Sequence, residues 1–192
     1  AAERDVQIVD KQYTSDKATQ FSSILTAIKG HKPDAIFFAG LDAQAGPILR
    51  QMSQLAMNQV KFLGGDAQCS ERLSVMADKA PALKNVVCVM SGNSLASMPG
   101  GLAWKQKYDQ RFPGQYQVYS PYAYDATMVL AQAIISADSA HPEAYLPRLR
   151  QTHYEGMTGT IAFDSQGELE NPRVTLYGYA SGERKELVVP AR

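Results

Sequence analysis

The sequence predicts an α/β fold that is built on a mostly parallel sheet. Two observations carry this prediction: short apolar runs alternate with helical apolar patterns through most of the 192 residues, and several of those runs end in glycine. Strands separated by helices of roughly ten to fifteen residues need right-handed crossovers, which make neighbouring strands parallel. The C-terminal part instead contains short strands joined by glycine-containing turns, a pattern that is typical of antiparallel pairing.

Four strands and three helices are predicted before residue 91. The clearest strand is the near-continuous apolar run at residues 34–40, which is typical of a strand buried on both faces. Apolar residues recur at helical spacing between Phe21 and Ile28, and Gly30 can end that helix. Asn58 is the predicted left-handed stop of the second helix, which begins near Gly46. The predicted strands cover 6–9, 34–40, 60–65 and 85–90, and a third helix covers 72–79.

The region after residue 90 changes character. Gly, Ser, Asn and Pro dominate residues 91–101, which predicts a long loop. An aromatic helical face follows at Trp104, Tyr108 and Phe112. A strongly apolar helix is predicted over 126–137, with Pro121 near its first turn. A shorter helix over 143–150 and antiparallel strands over 159–164, 174–179 and 185–189 complete the prediction.

Composition and charge exclude several classes of function. The chain has 19 basic and 19 acidic residues, so its formal charge is zero, which argues against binding to nucleic acid or to an acidic membrane surface. Hydrophobic residues make up 45% and charged residues 20%, a mixture that is typical of a globular chain. The longest apolar runs, such as residues 86–90, are too short to span a bilayer.

No catalytic or metal-binding constellation is visible. The three histidines, His31, His141 and His153, are far apart in the sequence and have no ligand spacing. Phosphate-binding loops, nucleophile elbows and dinucleotide-binding glycine motifs are also missing from the sequence. We therefore expect neither an enzyme nor a cofactor. The tyrosines around Pro121 are expected to pack at the start of a helix rather than to form a ligand-facing wall.

Polar residues follow the predicted strands where a parallel sheet binds its ligands, beyond the carboxyl ends of the strands. Asp66 follows an apolar strand and two glycines, and a lone carboxylate there is suited to holding an ammonium group. The alternative is that Asp66 caps a helix near Ser70 or accepts hydrogen bonds from loop amides. Asp42 and Gln44 occupy the neighbouring edge, where either could cap the helix that follows.

Two cysteines, Cys69 and Cys88, are too few for a disulfide framework. The residues alone leave two alternatives open: one bridge in an oxidising compartment, or two buried thiols.

Five segments in order resemble the substrate-binding proteins of branched-chain amino-acid ABC transporters, which have the type I periplasmic binding fold. The resemblance covers nearly the whole chain. The segments are residues 21–36; the stretch from Gly40 through Gly46 to Gln51; Phe62-Leu63-Gly64-Gly65-Asp66; Tyr122-Ala123-Tyr124-Asp125-Ala126; and residues 159–164 with Gly167.

The resemblance implies two α/β lobes with the ligand in the cleft between them, and it places this chain in the C-terminal portion. Residues 1–118 would form the second lobe without its first strand, as a parallel doubly wound sheet. Residues 119–170 would form the crossover and part of the first lobe, and 171–192 would return toward the second lobe as terminal strands. The helices from Ala126 onward would then need a missing N-terminal half, or another chain, to supply their sheet.

The resemblance also implies a ligand site. The acid that pairs with the ligand ammonium falls on Asp66, where Asp replaces the usual Glu, and a family tyrosine falls on Leu41. Asp42 and Ala67 are expected to line the site beside them. The loss of the tyrosine leaves the solute open: it could be leucine, isoleucine or valine, a different amino acid, or an amide-like or aromatic acid.

Because proteins of this family are exported, the resemblance favours a Cys69–Cys88 disulfide, a periplasmic location and a membrane permease as partner. A ligand-sensing domain of a receptor or regulator, with the same fold, is the alternative function.

Overall fold

The computed structural model describes residues 6–188 and confirms the α/β class. The strands are β1 Ala35–Phe38, β2 Lys61–Gly64, β3 Val86–Ser91, β4 His153–Gly156, β5 Gly159–Ala162, β6 Val174–Gly178 and β7 Lys185–Glu186. The helices are α1 Ser22–Gly30, α2 Asp42–Gln54, α3 Leu73–Met76, α4 Gly101–Arg111, α5 Ser120–Ala137 and α6 Pro142–Arg150. Short 3₁₀ turns cover Asp66–Gln68, Pro81–Asn85 and Leu95–Ser97.

The main sheet has five strands in the order β1-β2-β3-β6-β7. The first three are parallel, as predicted, and β7 is antiparallel to β6. A separate sheet contains β4 and β5 as an antiparallel pair. Strand β4 was missed by sequence analysis because His-Tyr-Glu-Gly has no apolar alternation. Among the described residues, no helix combines the length and the apolar character needed to cross a bilayer.

The chain divides into two compact units. Of the described residues, the first unit contains 6–90 and 175–188, with the main sheet and α1 to α3, and the second contains 91–174, with α4 to α6 and the small sheet. The bounds of the two units follow from packing within this chain. The bounds predicted at residues 118 and 170 divide the chain between the two lobes of a longer protein, which is a different division. The assignment of segments to lobes therefore stays a prediction.

In the first unit, burial alternates along the parallel strands. Phe62, Val86 and Cys88 are almost fully enclosed on one face of the sheet. On the other face, Phe37 lies opposite Leu63, which lies opposite Val87. Phe37 is 70% exposed, and its two neighbours are half-buried. The prediction that residues 34–40 form a strand buried on both faces is therefore wrong in this structure, because little covers the second face at β1.

Two further predictions in the first unit are wrong. Residues 6–9 form no strand, and Val6, Ile8 and Val9 are exposed. An alternating apolar pattern becomes a strand only beside a partner that takes its backbone hydrogen bonds, and no described strand pairs with these residues. Helix α2 begins at Asp42 rather than near Gly46, and it ends before Asn58, because Ala56 takes the left-handed conformation with a φ of 54°.

In the second unit, α5 carries a buried carboxylate. Asp125 is 1% exposed and accepts hydrogen bonds from the Thr158 amide at 2.7 Å, the Thr158 hydroxyl at 2.7 Å and the Met157 amide at 3.2 Å. Met157 and Thr158 form the turn between β4 and β5. Three donors replace the water that the carboxylate loses on burial, so Asp125 can fix the hairpin to α5 without being left unpaired.

Candidate functional site

The predicted site lies at the carboxyl edge of β1 and β2. Phe38, the last residue of β1, is opposite Gly64, the last residue of β2, so the loops that follow these two strands leave the sheet side by side. Leu41 has an extended backbone, with φ −96° and ψ 163°, and α2 starts at the next residue. Its side chain is 51% exposed. After β2, Gly65 is also extended and leads into the 3₁₀ turn of Asp66–Gln68.

Asp66 opens this turn. Its carboxylate Oδ1 accepts a hydrogen bond of 2.9 Å from the Ala67 amide, and its backbone oxygen accepts one of 3.0 Å from the Cys69 amide. Asp66 and Ala67 are both exposed. The carboxylate therefore accepts a loop amide, as one alternative expected, and it also stays open to solvent at the strand edge, as the ligand-binding alternative requires. It does not cap a helix near Ser70, because α3 begins only at Leu73.

Asp42 contributes to the same edge in a different way. Its Oδ2 accepts a hydrogen bond of 2.7 Å from the Ser70 hydroxyl, and it is half-buried. As the first residue of α2, it also places negative charge where the helix dipole favours it. Gln44, the other predicted cap, lies inside α2 and donates to the backbone oxygen of Asp16. Asp42 thus joins the start of α2 to the chain beyond the 3₁₀ turn.

The disulfide between Cys69 and Cys88 is present, with an S–S distance of 2.05 Å, and both residues are 1% exposed. It joins the residue after the 3₁₀ turn to the middle of β3. The bridge therefore restrains the loop that carries Asp66 and Ala67.

Removing this bridge is expected to cost stability. The two cysteines are 19 positions apart in the sequence, and closing a loop of about that length contributes about 3 kcal/mol in the chain-entropy treatment. The double variant Cys69→Ala/Cys88→Ala should lose about that much free energy of unfolding, measured by urea denaturation. Thiol counting in denaturant, on protein isolated without reductant, should find no free sulfhydryl in the parent; finding two would contradict the bridge.

The C-terminal hairpin of β6 and β7 packs on the segment around the disulfide. The hydroxyl of fully buried Tyr179 donates to the Ser70 backbone oxygen at 2.7 Å. The Arg184 guanidinium donates to the Cys69 backbone oxygen at 2.7 Å and lies over the Tyr177 ring, 4.8 Å from its centroid. No local sequence pattern indicates these supports, because Ser70 and Tyr179 are 109 residues apart in the chain.

The environment of Tyr179 predicts a loss of stability at alkaline pH. Burial raises the pKa of the Tyr179 hydroxyl above its usual value of about 10. A pKa raised by folding means that the native state holds the proton more tightly than the unfolded chain. This contribution to stability is complete below about pH 10 and is lost as the pH rises above that value. In urea titrations, the free energy of unfolding of Tyr179→Phe should fall less steeply between about pH 10 and 11 than that of the parent. An equally steep fall in both proteins would contradict the assignment of this pH dependence to Tyr179.

The tyrosines of the second unit have structural contacts. The Tyr122 hydroxyl donates to the Asn93 backbone oxygen at 2.8 Å. The Tyr124 ring packs edge-on against Trp104, with 5.9 Å between centroids. Trp104 in turn stacks on Tyr108. Packing at the start of α5 is therefore confirmed as one role of these residues.

The second unit also contains an open apolar hollow of ≈ 770 Å³. Its apolar wall comes from α5, α6 and the β4–β5 region, and Asn171 and Arg173 are among its polar lining residues. The apolar lining residues are Ala126, Val129, Leu130, Leu149, Ile161, Phe163 and Leu169. Within residues 6–188, no group of three or more His, Cys, Asp or Glu side chains could hold a metal ion.

A family profile described as "Periplasmic binding protein" matches residues 1–179. This chain belongs to the periplasmic binding protein family. The resemblance stated from the sequence is thereby confirmed, and the match extends through both compact units of the chain.

Relatives within the periplasmic binding protein family include two proteins named for amino-acid binding. The Leu/Ile/Val-binding protein homolog 1 of Brucella suis is 24% identical over 163 residues, covering 84% of this chain and 43% of that protein. The leucine-, isoleucine-, valine-, threonine- and alanine-binding protein of Pseudomonas aeruginosa is 26% identical over 164 residues, covering 82% and 41% respectively. This chain therefore spans less than half the length of these relatives.

The fold is also that of solved periplasmic binding proteins. A crystal structure of a leucine-binding protein from Thermotoga maritima matches with a TM-score of 0.76 at 23% identity, covering 90% of this chain and 49% of that one. This confirms the fold class predicted for the chain. The ligand-binding roles of Leu41, Asp42, Asp66 and Ala67 stay predictions.

Proposed function

We propose that this chain is part of the solute-binding component of an ABC importer, which captures an amino acid outside the cytoplasmic membrane and delivers it to a membrane permease. The observation that carries the proposal is the family match over residues 1–179, together with relatives that are named for binding leucine, isoleucine and valine. The periplasm is the compartment that we propose, and the buried disulfide is consistent with an oxidising location.

In this proposal, Asp66 pairs with the ammonium group of the amino acid. Its carboxylate is exposed at the carboxyl edge of a parallel sheet, where α/β folds bind ligands, and the Ala67 amide holds it in place. Leu41 leads from the neighbouring strand into α2 and offers an exposed apolar side chain to the ligand. Asp42 supports this edge through Ser70, and Ala67 lines it without adding charge.

Ligand capture requires a second surface that closes over this edge. The ligand stabilises the closed state that hinge closure forms. The size of this stabilisation is the difference between the ligand's binding free energies for the closed and the open states. We propose that a further segment of a longer protein, or another chain, supplies that surface. We assign residues 119–170 to the crossover and first lobe, where the same further segment or chain would cover the apolar hollow lined by α5 and α6.

Isothermal titration against the twenty amino acids tests the proposed function. The sample is the longest natural chain that contains this sequence, because the relatives are more than twice as long as the matched region. We expect saturable heat with at least one apolar amino acid. The absence of heat with every amino acid at millimolar concentration would remove amino acids as the solute class.

A further inference from the structure

Gln68 connects the two strand ends that form the proposed site. It is the last residue of the 3₁₀ turn that begins at Asp66, and it is 1% exposed. Its side-chain Nε2 donates a hydrogen bond of 2.6 Å to the backbone oxygen of Phe38, the last residue of β1. One buried side chain therefore joins the turn after β2 to the end of the neighbouring strand.

The surrounding backbone is built around this side chain. A Cβ on Gly64 would overlap the amide group of Gln68, so only glycine lets the amide lie against the end of β2. A Cβ on Gly40 would likewise overlap the ring of Phe38. The segment that leads to Leu41 is thus held against the segment that leads to Asp66. The contacts come from Gln68, Phe38 and the two glycines.

Stability alone does not account for a glutamine at this position. Its side-chain oxygen Oε1 is buried and has no hydrogen-bond partner among the described residues. Leaving a buried polar oxygen unpaired costs as much as, or more than, a single neutral hydrogen bond contributes. An apolar side chain of the same length would avoid that cost, but it would lose the bond to Phe38.

We propose that Gln68 is a positioning residue, which sets the separation between the Leu41 loop and the Asp66 carboxylate through its bond to the Phe38 oxygen. The inference rests on the proposed binding role of Asp66. The bond from Ser70 to Asp42 is a second tie between the same two loops, so the side chains from both strand edges are held at fixed spacing. A binding site needs such support because small displacements of a charged group weaken its contact with a ligand.

The test compares Gln68→Met with Gln51→Met in the longest natural chain that contains this sequence. Gln51 is the control, a second buried glutamine of the first unit: its Nε2 donates to the Thr19 oxygen at 2.9 Å, and its Oε1 accepts from the Phe21 amide at 2.7 Å and from the Ser22 hydroxyl at 3.0 Å. Both variants remove one buried amide, but only the first lies at the proposed site.

Hydrogen exchange measures the positioning without a ligand. In Gln68→Met we expect exchange of residues 38–42 and 64–69 to quicken about tenfold relative to residues 86–90 of β3, because those loops open more often. Gln51→Met should not change this ratio. An unchanged ratio in Gln68→Met overturns the inference, whatever the protein binds.

Binding of L-leucine measures the consequence. We expect Gln68→Met to raise the dissociation constant about tenfold, within the range seen when a supporting contact behind a binding group is lost. This effect should vanish in the Asp66→Asn background, whereas Gln51→Met should leave the dissociation constant unchanged. If Asp66→Asn weakens binding and Gln68→Met does not, this inference is overturned and the role of Asp66 stands. If L-leucine binds and Asp66→Asn changes nothing, the proposed site fails. In that case, and also if L-leucine does not bind, the exchange result alone decides whether Gln68 positions the two loops.

Discussion

Asp66→Asn is expected to weaken binding of an α-amino acid by about 2–5 kcal/mol, the range for removing one partner of an enclosed, hydrogen-bonded charge pair. In titration calorimetry this corresponds to a dissociation constant raised roughly 30-fold to 5,000-fold. The asparagine keeps the shape of the side chain, its Oδ1 can still accept the bond from the Ala67 amide, and the negative charge is lost. The prediction applies to the longest natural chain that contains this sequence.

The size of the affinity loss in Asp66→Asn also shows whether the bound ligand is enclosed. Asp66 is exposed in the present structure, and an ion pair that stayed exposed would contribute less than about 1 kcal/mol. A loss of thirtyfold or more therefore requires that another surface closes over the carboxylate. A loss of only a few-fold would show that the pair forms in open solvent and would contradict the closed-cleft mechanism.

Two controls separate the ammonium contact from a general change in charge. Asp78→Asn removes one negative charge from the same unit, at a position whose φ of 50° suits asparagine, and it should leave the dissociation constant unchanged. The leucine analogue 4-methylpentanoate lacks the ammonium group, so its affinity should not fall in Asp66→Asn. Equal losses for leucine and this analogue would show that Asp66 supports the site without touching the ammonium.

Asp125→Ala is expected to give the largest loss of stability, about 3–5 kcal/mol. The substitution leaves the amides of Met157 and Thr158 and the Thr158 hydroxyl without their shared acceptor, whose own side chain is 1% exposed. Urea denaturation followed by circular dichroism should show a transition at lower denaturant concentration. Hydrogen exchange should place the loss in the β4–β5 hairpin and α5.

Thr127→Ala provides a control on the same helix. Thr127 is exposed, and its hydroxyl donates to the backbone oxygen of Ala123 one turn earlier, so its removal should change the free energy of unfolding by less than about 0.5 kcal/mol. A similar small value for Asp125→Ala would show that the hairpin does not depend on the buried carboxylate.

The elements that sequence analysis located correctly are those whose signal is local. The apolar spacing from Phe21 to Ile28 predicted α1, and Pro121 at the first turn predicted the start of α5. The run at 85–90 predicted β3 to within one residue. In each case, residues a few positions apart decide the conformation, so the pattern is legible without the rest of the molecule.

The errors arose where a distant partner decides the outcome. Residues 6–9 have the alternation of a strand, but no described strand pairs with them. The start of α2 depends on Asp42, whose carboxylate bonds to Ser70, 28 residues away. The supports of the candidate site show the same dependence, because nothing near Gln68 in the sequence indicates that its amide reaches the Phe38 oxygen.

By itself, the sequence determined the α/β class, the parallel order of the first three strands and the strand edge where Asp66 lies. These features can be predicted because apolar periodicity and glycines at strand ends depend only on residues close together in the sequence. Only the tertiary structure decided that Cys69 and Cys88 are joined, that Asp42 braces the edge, and that Gln68, Tyr179 and Arg184 hold the segment around it. The physical reason is that hydrogen bonds and bridges between residues tens of positions apart depend on how the chain is packed, and packing is settled by the whole molecule at once.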